Sequence, residues 1–370
     1  MMTQQVSALN TIDSSWLQRF RRNLRRWHEK HGRDLPWRNI GEPYRVWISE
    51  IMLQQTTVVA VVPYFNRFLD RFPTIRSLAA ADENEVLRHW EGLGYYSRAR
   101  NIHKTAQQLV ELNGGEFPCD VKQLQQLPGI GRYTAGAIAS FAFDRPAPIV
   151  EANTLRLYCR LVGYADDPRT AAGQRLLWEF AERLLPRKSS GRFNQALMDL
   201  GATRCTPTKP DCATCPVRSC CRAVAEGSQD SIPMKAVRPQ ITNIAEAVVA
   251  VRRNGRYLLR QIPDGRRWAG LWDFVRFPLD GHTSSKSPQL SEISSRLTEA
   301  SGLIAEIGPR LAKINHSVTR YRIQLFCFPA TYHSGVTPRT STHRWVSPKQ
   351  FADYPLSVTG RQFADLLVGS

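Results

Sequence analysis

The feature that most constrains the fold of this chain is a change of hydrophobic pattern near residue 245. Before that point, residues 14–225 place apolar side chains at helical spacing, most clearly in Trp16–Lys30 and in the long run Tyr44–Phe68. Prolines and an Asn-Gly-Gly sequence at residues 113–115 punctuate the later helices. The sequence therefore predicts an all-helical first part.

After residue 245 the pattern becomes that of β-strands. Ala247–Arg252 and Tyr257–Gln261 are short β-like runs on either side of Asn254-Gly255, a pair that favours a tight hairpin turn. In His316–Phe328 polar and apolar side chains alternate, which is typical of one half-buried strand. The second part is therefore predicted to be α+β.

A polar segment separates the two parts. Residues 226–243 are rich in Ser, Pro, Gln and Lys, and this composition is typical of a linker. We therefore predict a multidomain protein with an all-α domain at residues 1–225, a linker at 226–243 and an α+β domain at 244–370.

The chain is strongly basic. It has 50 Lys and Arg against 32 Asp and Glu, a formal net charge of +18. Residues 1–230 carry a net charge of +8 and residues 231–370 a net charge of +10, so neither part is only a basic tail. Such an excess favours a polyanionic partner, most simply nucleic acid, although solvated arginine faces would leave the same signature.

No segment of the sequence points to a membrane. The longest weakly charged apolar run, Thr134–Phe143, is too short to span a bilayer. Met1–Ile12 is polar and has no apolar signal core. We expect a cytoplasmic protein without a membrane partner.

Five of the eight cysteines lie in one short segment. Four of them have the spacing Cys205-x6-Cys212-x2-Cys215-x5-Cys221. Thiolates that converge from a tight loop can hold either zinc or a [4Fe–4S] cluster, and the spacing alone leaves both open. A disulfide framework would suit a small secreted chain, which this is not. The fifth, Cys220, is expected to be an ordinary exposed or packed thiol.

A short glycine-containing segment, Leu127–Gly131 (LPGIG), joins two helical stretches. Gly129 and Gly131 allow a tight turn and a close approach of backbone N–H groups to a phosphate, and the following helix N-terminus adds positive potential. The segment indicates a hairpin that binds the DNA backbone without reading its sequence, although alone it also fits a plain turn between helices.

Several motifs together resemble those of one enzyme family. They are Asp34–Trp37 (DLPW), Trp47–Thr56 (WISEIMLQQT), Trp90–Arg100 (WEGLGYYSRAR), Leu127–Ser140, Glu151–Arg160, Phe193–Ala202 (FNQALMDLGA) and the Cys205–Cys221 loop. Over about residues 14–365 the chain resembles the helix–hairpin–helix DNA glycosylases with an iron–sulfur loop, and among them the MutY-type adenine DNA glycosylases. The resemblance implies an all-α helix–hairpin–helix glycosylase domain and an α+β Nudix-like C-terminal domain.

The resemblance also implies a function. We expect a monomeric, nucleoid-associated enzyme of base excision repair that removes adenine mispaired with 8-oxoguanine or guanine in double-stranded DNA. Such an enzyme must take the adenine out of the base stack to reach it. The resemblance further implies that Cys205, Cys212, Cys215 and Cys221 hold a [4Fe–4S] cluster rather than zinc.

Two carboxylates are expected to carry the chemistry. Hydrolysis of an N-glycosidic bond needs an acid for the leaving base and a negative partner for the oxocarbenium-like sugar. The resemblance implies that Glu50 is the acid and that Glu151, with Asn153 beside it, stabilises the cation. Glu151 stands where the family usually has Asp, so its carboxylate reaches about 1–1.5 Å further. It could instead cap the helix that begins near Asn153.

Tyr133 decides between subclasses of the superfamily. Bifunctional relatives carry a Lys at this position, which forms a Schiff base and drives strand cleavage. Tyrosine cannot form a Schiff base, so the resemblance implies a monofunctional glycosylase in which Tyr133 supports the catalytic carboxylate.

The remaining site residues are implied by the same motifs. The adenine pocket is expected to comprise Arg33, Leu35, Trp37, Arg38 and Gln195, and the amide of Gln195 can both donate to and accept from an adenine edge. The expected contacts to DNA and to the lesion are Gln55, Thr56, Leu93, Tyr95, Gly129 and Gly131, with His316, Ser317, Val318, Thr319 and Arg320 in the C-terminal domain. Val318-Thr319-Arg320 replaces the Phe-Ser-His triplet of the family, and Thr319 keeps a hydroxyl that could sense the modified guanine.

Two other functions remain open on the sequence. An endonuclease III-like glycosylase and lyase would share the helical motifs, but Tyr133 and the basic C-terminal domain argue against it. A non-catalytic DNA-damage-binding protein would account for the departure at Glu151.

Overall fold

The computed structural model describes residues 12–38, 41–236, 240–279, 288–337 and 342–369, and its chain forms two compact units. The first unit comprises Met1–Ala79 and Lys104–Val237, and the second comprises Ala80–His103 and Arg238–Ser370. A stretch of the predicted helical domain, residues 80–103, thus groups with the second unit.

The chain before the linker is helical, as predicted. Its helices are α1 (Ser14–His31), α2 (Pro43–Met52), α3 (Val58–Arg71), α4 (Ile75–Ala79), α5 (Glu83–Trp90), α6 (Ser97–Asn113), α7 (Val121–Leu124), α8 (Arg132–Phe143), α9 (Ala152–Val162), α10 (Ala171–Leu184), α11 (Ser190–Thr203) and α12 (Arg222–Ala225). The prediction of one continuous helix over Tyr44–Phe68 is wrong, because one helix ends at Met52 and the next begins at Val58. Gln55 between them has φ +58°, which a right-handed helix cannot contain.

The core of the first unit begins at its first helix. Asp13 caps α1 by accepting a hydrogen bond of 2.7 Å from the Trp16 backbone N–H. α1 then buries Phe20, Leu24 and Trp27, which follow one another at helical spacing on one face. These side chains join a continuous apolar core with residues of α9, α10 and α11. The helices α9 and α11, which carry Glu151 and Gln195, are therefore packed in one core with α1.

The second unit contains an eight-stranded mixed sheet. Its strands are β1 (Thr242–Arg253), β2 (Arg256–Gln261), β3 (Trp272–Asp273), β4 (Val275–Leu279), β5 (Leu303–Ile307), β6 (Ala312–Val318), β7 (Tyr321–Gly335) and β8 (His343–Val346), with helices α13 (Leu290–Ser301) and α14 (Val358–Gly369). β1 is parallel to β7 and antiparallel to β2 and β4, while β5 and β6 are antiparallel to β7.

Both faces of the sheet are covered. On β1, Ala247, Val249 and Val251 belong to an apolar core with α13, whereas Val248 and Ala250 belong to a second core with α14. Successive side chains of a strand point to opposite faces, so an uninterrupted apolar run is what a strand between two helical layers needs.

The two strand predictions differ in outcome. The hairpin at Asn254-Gly255 is confirmed, and both turn residues have positive φ, +49° and +73°. The prediction of a single strand over His316–Phe328 is wrong. The strand β6 ends at Val318 and β7 begins at Tyr321, and these two residues pair with each other. Thr319 has φ +50° in the turn. Threonine is not a typical left-handed turn residue, so the alternating pattern gave no sign of the reversal.

Candidate active site

Glu50 lies on α2 among apolar side chains. The residue is only 4% exposed, and its Oε2 accepts a hydrogen bond of 2.5 Å from the Tyr133 hydroxyl. Burial raises the pKa of Glu50 to about 7, while the Tyr133 hydrogen bond and the Arg38 charge lower it and the Glu151 charge raises it. Such a carboxyl group can hold a proton near neutral pH and deliver it to a ligand.

Tyr133 is placed by the hairpin that precedes α8. Gly129 has φ +76° and Gly131 is the N-cap, so Tyr133 stands in the first turn of the helix. Its hydroxyl lies 4.0 Å from the Met198 sulfur besides contacting Glu50. Burial raises the pKa of Tyr133 well above its ordinary value, so the phenol stays protonated and donates to Glu50.

The hairpin itself is exposed. Both Gly129 and Gly131 lie at the surface of the first unit, and a Cβ placed on Gly131 would meet no atom within 4 Å. The backbone between α7 and α8 is therefore open to a close approach by a phosphate, beside the positive N-terminus of α8.

Glu151 is the N-cap of α9. Its Oε1 accepts from the Thr154 backbone N–H at 2.9 Å, and its Oε2 accepts from the Asn153 backbone N–H at 2.9 Å and from Asn153 Nδ2 at 3.2 Å. Burial raises the pKa of Glu151, against the opposing effect of these hydrogen bonds. Gly201 makes room for this turn, because a Cβ there would lie 2.8 Å from the Asn153 carbonyl oxygen. Glu151 is thus a partly buried carboxyl group at a helix N-terminus.

Asp199 is a buried ionic centre that the sequence analysis did not single out. It accepts from Arg33 Nε at 2.8 Å and from Arg38 Nη2 at 3.0 Å, and His28 Nε2 lies 3.1 Å from it. Burial raises its pKa, but the His28 hydrogen bond and the charges of Arg38 and Arg33 bring the pKa down to about 2. Asp199 is the one charged residue in the otherwise uncharged motif Phe193–Ala202. A charged residue in such a segment indicates a paired charge, so the sequence could have pointed to it.

Replacing Asp199 by Asn is expected to lower the free energy of unfolding by about 3 kcal/mol at neutral pH, because it leaves the buried Arg38 and the partly exposed Arg33 without their counter-charge. Since the pKa of Asp199 is depressed in the fold, its contribution is present above about 4 and is lost as the pH falls towards 2. Urea unfolding at pH 7 and pH 3 tests this, with exposed Asp70→Asn as control. Equal midpoints for Asp199→Asn and wild type at pH 7 would contradict it.

Three of the five residues expected to bind the base line one cavity. It has a volume of about 490 Å³, and its walls include Arg33, Arg38 and Gln195. Gln195 is only 7% exposed, and within the described ranges its carboxamide makes no hydrogen bond. Trp37 is instead buried edge-on against Phe65 at 5.2 Å between ring centroids. A carboxamide in the wall of a cavity is available to a polar ligand.

The remaining predicted site residues of the first unit are Leu35 and, in the loop after α2, Gln55 and Thr56. The Leu35 carbonyl accepts from the Arg38 backbone N–H at 2.9 Å, and this turn orients the arginine. Gln55 is exposed with φ +58°, and the Thr56 hydroxyl lies 3.4 Å from the Gln54 carbonyl oxygen. A positive φ at a non-glycine residue carries local strain of a kind that recurs at functional sites.

In the second unit, most of the predicted lesion contacts line one cavity of about 790 Å³. Its lining residues are Gly92–Ser97, Arg100, Arg266–Ala269, Ile314–Thr319, Tyr321, Ser357–Thr359 and Gln362. Leu93, Tyr95 and the segment His316–Thr319 are thus brought together. Arg320 is not among them, because its guanidinium lies 5.1 Å from the Tyr321 ring centre and donates to the Tyr321 hydroxyl at 3.1 Å.

Trp268 in the wall of this cavity was not anticipated from the sequence. It has φ +63°, which is a strained conformation for a bulky residue. The Arg276 guanidinium lies 4.4 Å from its ring centre, and the ring of His316 lies at 5.9 Å. His316 Nε2 accepts from Arg276 at 3.2 Å. Burial, together with the charges of Arg276 and Arg267, lowers the pKa of His316 to about 4, so this imidazole is neutral at pH 7.

The four spaced cysteines surround a common cavity. Cys205, Cys212, Cys215 and Cys221 all line it, and Arg160 Nη1 donates to the Cys205 sulfur at 3.2 Å. Burial raises the pKa of Cys215 to about 12 and that of Cys221 to about 11. The four thiols thus share one cavity with the cation of Arg160.

Cys220 stands apart from this group. It is buried in the apolar core of the first unit and does not line the cavity of the four cysteines. A thiol in this position acts as a small apolar side chain.

Comparisons with known proteins identify the family. Residues 48–183 match the model of the HhH-GPD superfamily base excision DNA repair protein, and residues 247–365 match the NUDIX domain. The adenine DNA glycosylase of Buchnera aphidicola subsp. Acyrthosiphon pisum (strain APS) is 38% identical over 252 residues, which cover 68% of this chain and 72% of that protein. This chain belongs to the adenine DNA glycosylase family. The predicted MutY-type resemblance is thereby confirmed.

Two further relatives extend the comparison. The adenine DNA glycosylase of Mus musculus is 36% identical over 345 residues, covering 89% of this chain and 65% of that protein, so the chain spans just under two thirds of it. The solved structure of a thermostable thymine-DNA glycosylase matches with a TM-score of 0.51 and 28% identity, over 57% of this chain and 98% of that one. The predicted fold class, a helix–hairpin–helix glycosylase domain followed by an α+β Nudix-like domain, is confirmed.

None of the helices in the described ranges has both the length and the apolar character that crossing a bilayer would require.

Proposed function

We propose that this chain is a monofunctional glycosylase of base excision repair that acts, as a monomer, on adenine mispaired with 8-oxoguanine or guanine in double-stranded DNA. The observation that carries the proposal is the partly buried pair of Glu50 and Tyr133, joined at 2.5 Å in a chain of the adenine DNA glycosylase family. A tyrosine at this place supports an acid, whereas a lyase would need an amine there.

In the proposed reaction Glu50 gives its proton to a ring nitrogen of the flipped adenine. The C1′–N9 bond then breaks, its electron pair leaves with the base, and the sugar becomes an oxocarbenium-like cation. The carboxylate of Glu151 stabilises this cation. Water adds to C1′, and its proton goes to the Glu50 carboxylate, which restores the acid.

The base itself would be held in the cavity that Gln195 lines. Glu50 does not line this cavity, but Arg38 does, and the charge of Arg38 lowers the pKa of Glu50. A carboxamide presents a donor and an acceptor side by side, which matches the edge of adenine. Arg33 and Arg38 are held in place by Asp199 and would form part of the walls of this pocket, whereas Leu35 and Trp37 are assigned to it only by the family motif. The arrangement is rigid before the base arrives, and this reduces the entropy lost on binding.

The strand opposite the adenine would be read by other residues. We propose that the domain at residues 244–370 contacts 8-oxoguanine through Val318 and Thr319, while Leu93 and Tyr95 fill the space in the base stack. Gln55 and Thr56 of the domain at residues 1–225 would assist. Apolar and aromatic side chains of this kind compensate for the stacking lost when a base is flipped.

The remaining proposed contacts are to the DNA backbone and beside the lesion. Gly129 and Gly131 would bind a phosphate through the hairpin amides. His316 and Ser317 would support Thr319 from β6, and Arg320 would contact a phosphate near the turn. The hairpin amides and Arg320 would contact the backbone of any sequence, so they supply affinity rather than specificity.

We further propose that Cys205, Cys212, Cys215 and Cys221 hold a [4Fe–4S] cluster. The shared cavity and the cation of Arg160 beside Cys205 support four thiolate ligands at this place. When bound, the cluster would cross-link the loop Arg204–Arg222 and so hold its basic side chains ready for DNA phosphates.

The cluster proposal predicts the metal content of two neighbouring cysteine variants. Wild-type protein purified without oxygen is expected to contain about four iron atoms per chain and to absorb visible light. Cys221→Ser is expected to lose most of the iron, because it removes a ligand. Cys220→Ser is the matched control and should keep it, because Cys220 does not line the cavity of the four spaced cysteines. Zinc in place of iron, or equal losses in both variants, would refute the assignment.

The proposed acid predicts a pH dependence of base release. The single-turnover rate should fall as the pH rises through about 7, the pKa of Glu50, because the proton is needed on the carboxyl group. Tyr133→Phe removes a hydrogen bond that lowers this pKa, so its rate profile should have its inflection at a higher pH. Rates measured between pH 5 and 9 test both statements. A flat profile, or an inflection that moves to lower pH in Tyr133→Phe, would speak against Glu50 as the acid.

The function as a whole is tested by single-turnover release of adenine from duplexes that carry A opposite 8-oxoguanine, G or T. Release is expected from the first two and not from the third. Borohydride trapping is run in parallel and should give no covalent adduct with wild-type protein. A strong adduct would indicate a lyase instead, and tight binding to all three duplexes without release would indicate a non-catalytic binder.

A further inference from the structure

The 790 Å³ cavity of the second unit is formed by segments that are distant in sequence. The loop Gly92–Ser97 contributes to its lining, and so do the β6–β7 turn and the first residues of α14, among them Val358 and Thr359. The width of the cavity therefore depends on how the loop is attached to α14. A ligand that contacts both Leu93 and Thr319 would sense that width.

The attachment is an ion pair between Glu91, which directly precedes the loop, and Arg361 of α14. Arg361 Nε donates to Oε1 at 2.9 Å and Nη2 donates to Oε2 at 3.0 Å. The two side chains are only 18% and 26% exposed. Arg361 also donates to the carbonyl groups of Phe351 at 2.7 Å and Tyr354 at 2.9 Å. The guanidinium is thus held on both edges, which gives the pair a fixed direction.

The loop beyond Glu91 is stiff in itself. Arg98 donates to the carbonyl groups of Leu93 at 3.1 Å and Gly94 at 3.0 Å, and the indole N–H of Trp90 donates to the latter at 3.1 Å. Tyr95 has φ +48° and is 47% exposed, so its ring is presented outward from a strained backbone. A loop that is cross-linked in this way moves as one piece with Glu91.

From this arrangement we infer that the Glu91–Arg361 pair positions the Leu93–Tyr95 loop for recognition of the base opposite adenine. This inference rests on the proposed function and deepens it. Neither side chain of the pair lines the cavity; the pair sets the spacing between the loop and Thr319. Polar and stacking contacts lose most of their selectivity when they are displaced by about 1 Å. Weakening the Glu91–Arg361 pair would therefore reduce discrimination between 8-oxoguanine and guanine more than it reduces affinity for DNA.

The test measures dissociation constants in a Glu50→Gln background, in which release of adenine is expected to be slow enough for binding to reach equilibrium first. Three duplexes are compared: A opposite 8-oxoguanine, A opposite G, and a fully paired duplex of the same length. The variants are Glu91→Gln, Arg361→Lys and the two combined. Arg361→Lys keeps the charge but loses the two-pronged hydrogen bonding. The control is Arg169→Lys, which makes the same change in the bidentate pair of Arg169 with Asp167 in the first unit.

The selectivity ratio is the dissociation constant for A opposite G divided by that for A opposite 8-oxoguanine. Each single variant is expected to reduce this ratio about tenfold, a change of about 1.4 kcal/mol. The double variant should be no worse than the poorer single one, because both remove the same interaction. In the single variants, the dissociation constant for the fully paired duplex should stay within about twofold of the parent value. In the control variant Arg169→Lys, the selectivity ratio should also stay within about twofold of the parent.

Three results would overturn the inference. One is a ratio that stays within about twofold of the parent in both single variants, far from the tenfold loss expected. Another is a parallel loss of affinity for all three duplexes, which indicates a merely structural pair, and the third is fully additive effects. If the parent itself binds A opposite G and A opposite 8-oxoguanine with nearly equal dissociation constants, the outcome is different. The proposed recognition of 8-oxoguanine is then wrong, and the inference that rests on it is wrong as well.

Discussion

Glu50→Gln is expected to bind duplex DNA as tightly as wild type and to release adenine about 10³-fold more slowly, the usual scale for loss of a general acid. Gln has nearly the shape of Glu and can still accept the Tyr133 hydrogen bond, so the buried site keeps its packing. It has no proton of suitable acidity to give to the base. The loss therefore falls on the chemical step and leaves the binding of DNA unchanged.

The same substitution has a signature in stability. Burial raises the pKa of Glu50 from 4.5 to about 7, so the folded chain binds this proton more tightly than the unfolded chain does. The free energy of unfolding of wild type should then fall as the pH rises from about 4.5 to about 7. Glu50→Gln lacks this contribution, and its stability should depend less on pH in that range.

Single-turnover rates and urea unfolding on the same preparations check both expectations. Glu42→Gln is the matched control, because Glu42 stands at the start of the same helix, α2, and pairs with Arg45 at its surface. It should release adenine at the wild-type rate. A Glu50→Gln enzyme with more than a tenth of wild-type activity would remove Glu50 from its proposed role, since a general acid contributes at least about 10²-fold.

Glu151→Gln is expected to lower the rate of base release about 10²- to 10³-fold, the range found when one group that stabilises the transition state is removed. The charge opposite the developing sugar cation is lost. Glu151→Asp keeps the charge and is itself a good N-cap, but its carboxylate is set back by one methylene. We expect it to lie between wild type and Glu151→Gln.

The comparison of these two variants separates the roles of Glu151. Its carboxylate caps α9 through Asn153 and Thr154, so part of any effect of Glu151→Gln is structural. Loss of an N-cap costs about 1 kcal/mol, which urea unfolding measures directly. If Glu151→Gln lost stability but kept the wild-type rate, Glu151 would be a helix cap and nothing more.

Much of the fold was readable from local sequence. Helical spacing in Trp16–Lys30 and the Asn254-Gly255 hairpin each reflect interactions between residues a few positions apart, which a short window contains. The family match likewise rests on contiguous motifs, such as Trp47–Thr56. These can be recognised from the order of their residues without knowledge of the tertiary structure. The break of the run Tyr44–Phe68 was missed because Gln55 adopts its positive φ without being a residue that favours it.

The sequence by itself therefore determined the class of each domain, the family, and the identity of the groups that could do the chemistry. Only the tertiary structure decided their environments. Asp199 became the partner of Arg33 across more than 160 positions, and Glu91 that of Arg361 across 270. The proton affinity of Glu50 likewise depends on burial among several helices. Periodicity records which side of an element is apolar, whereas the pairing of two charges depends on distances that arise only when separate elements pack together.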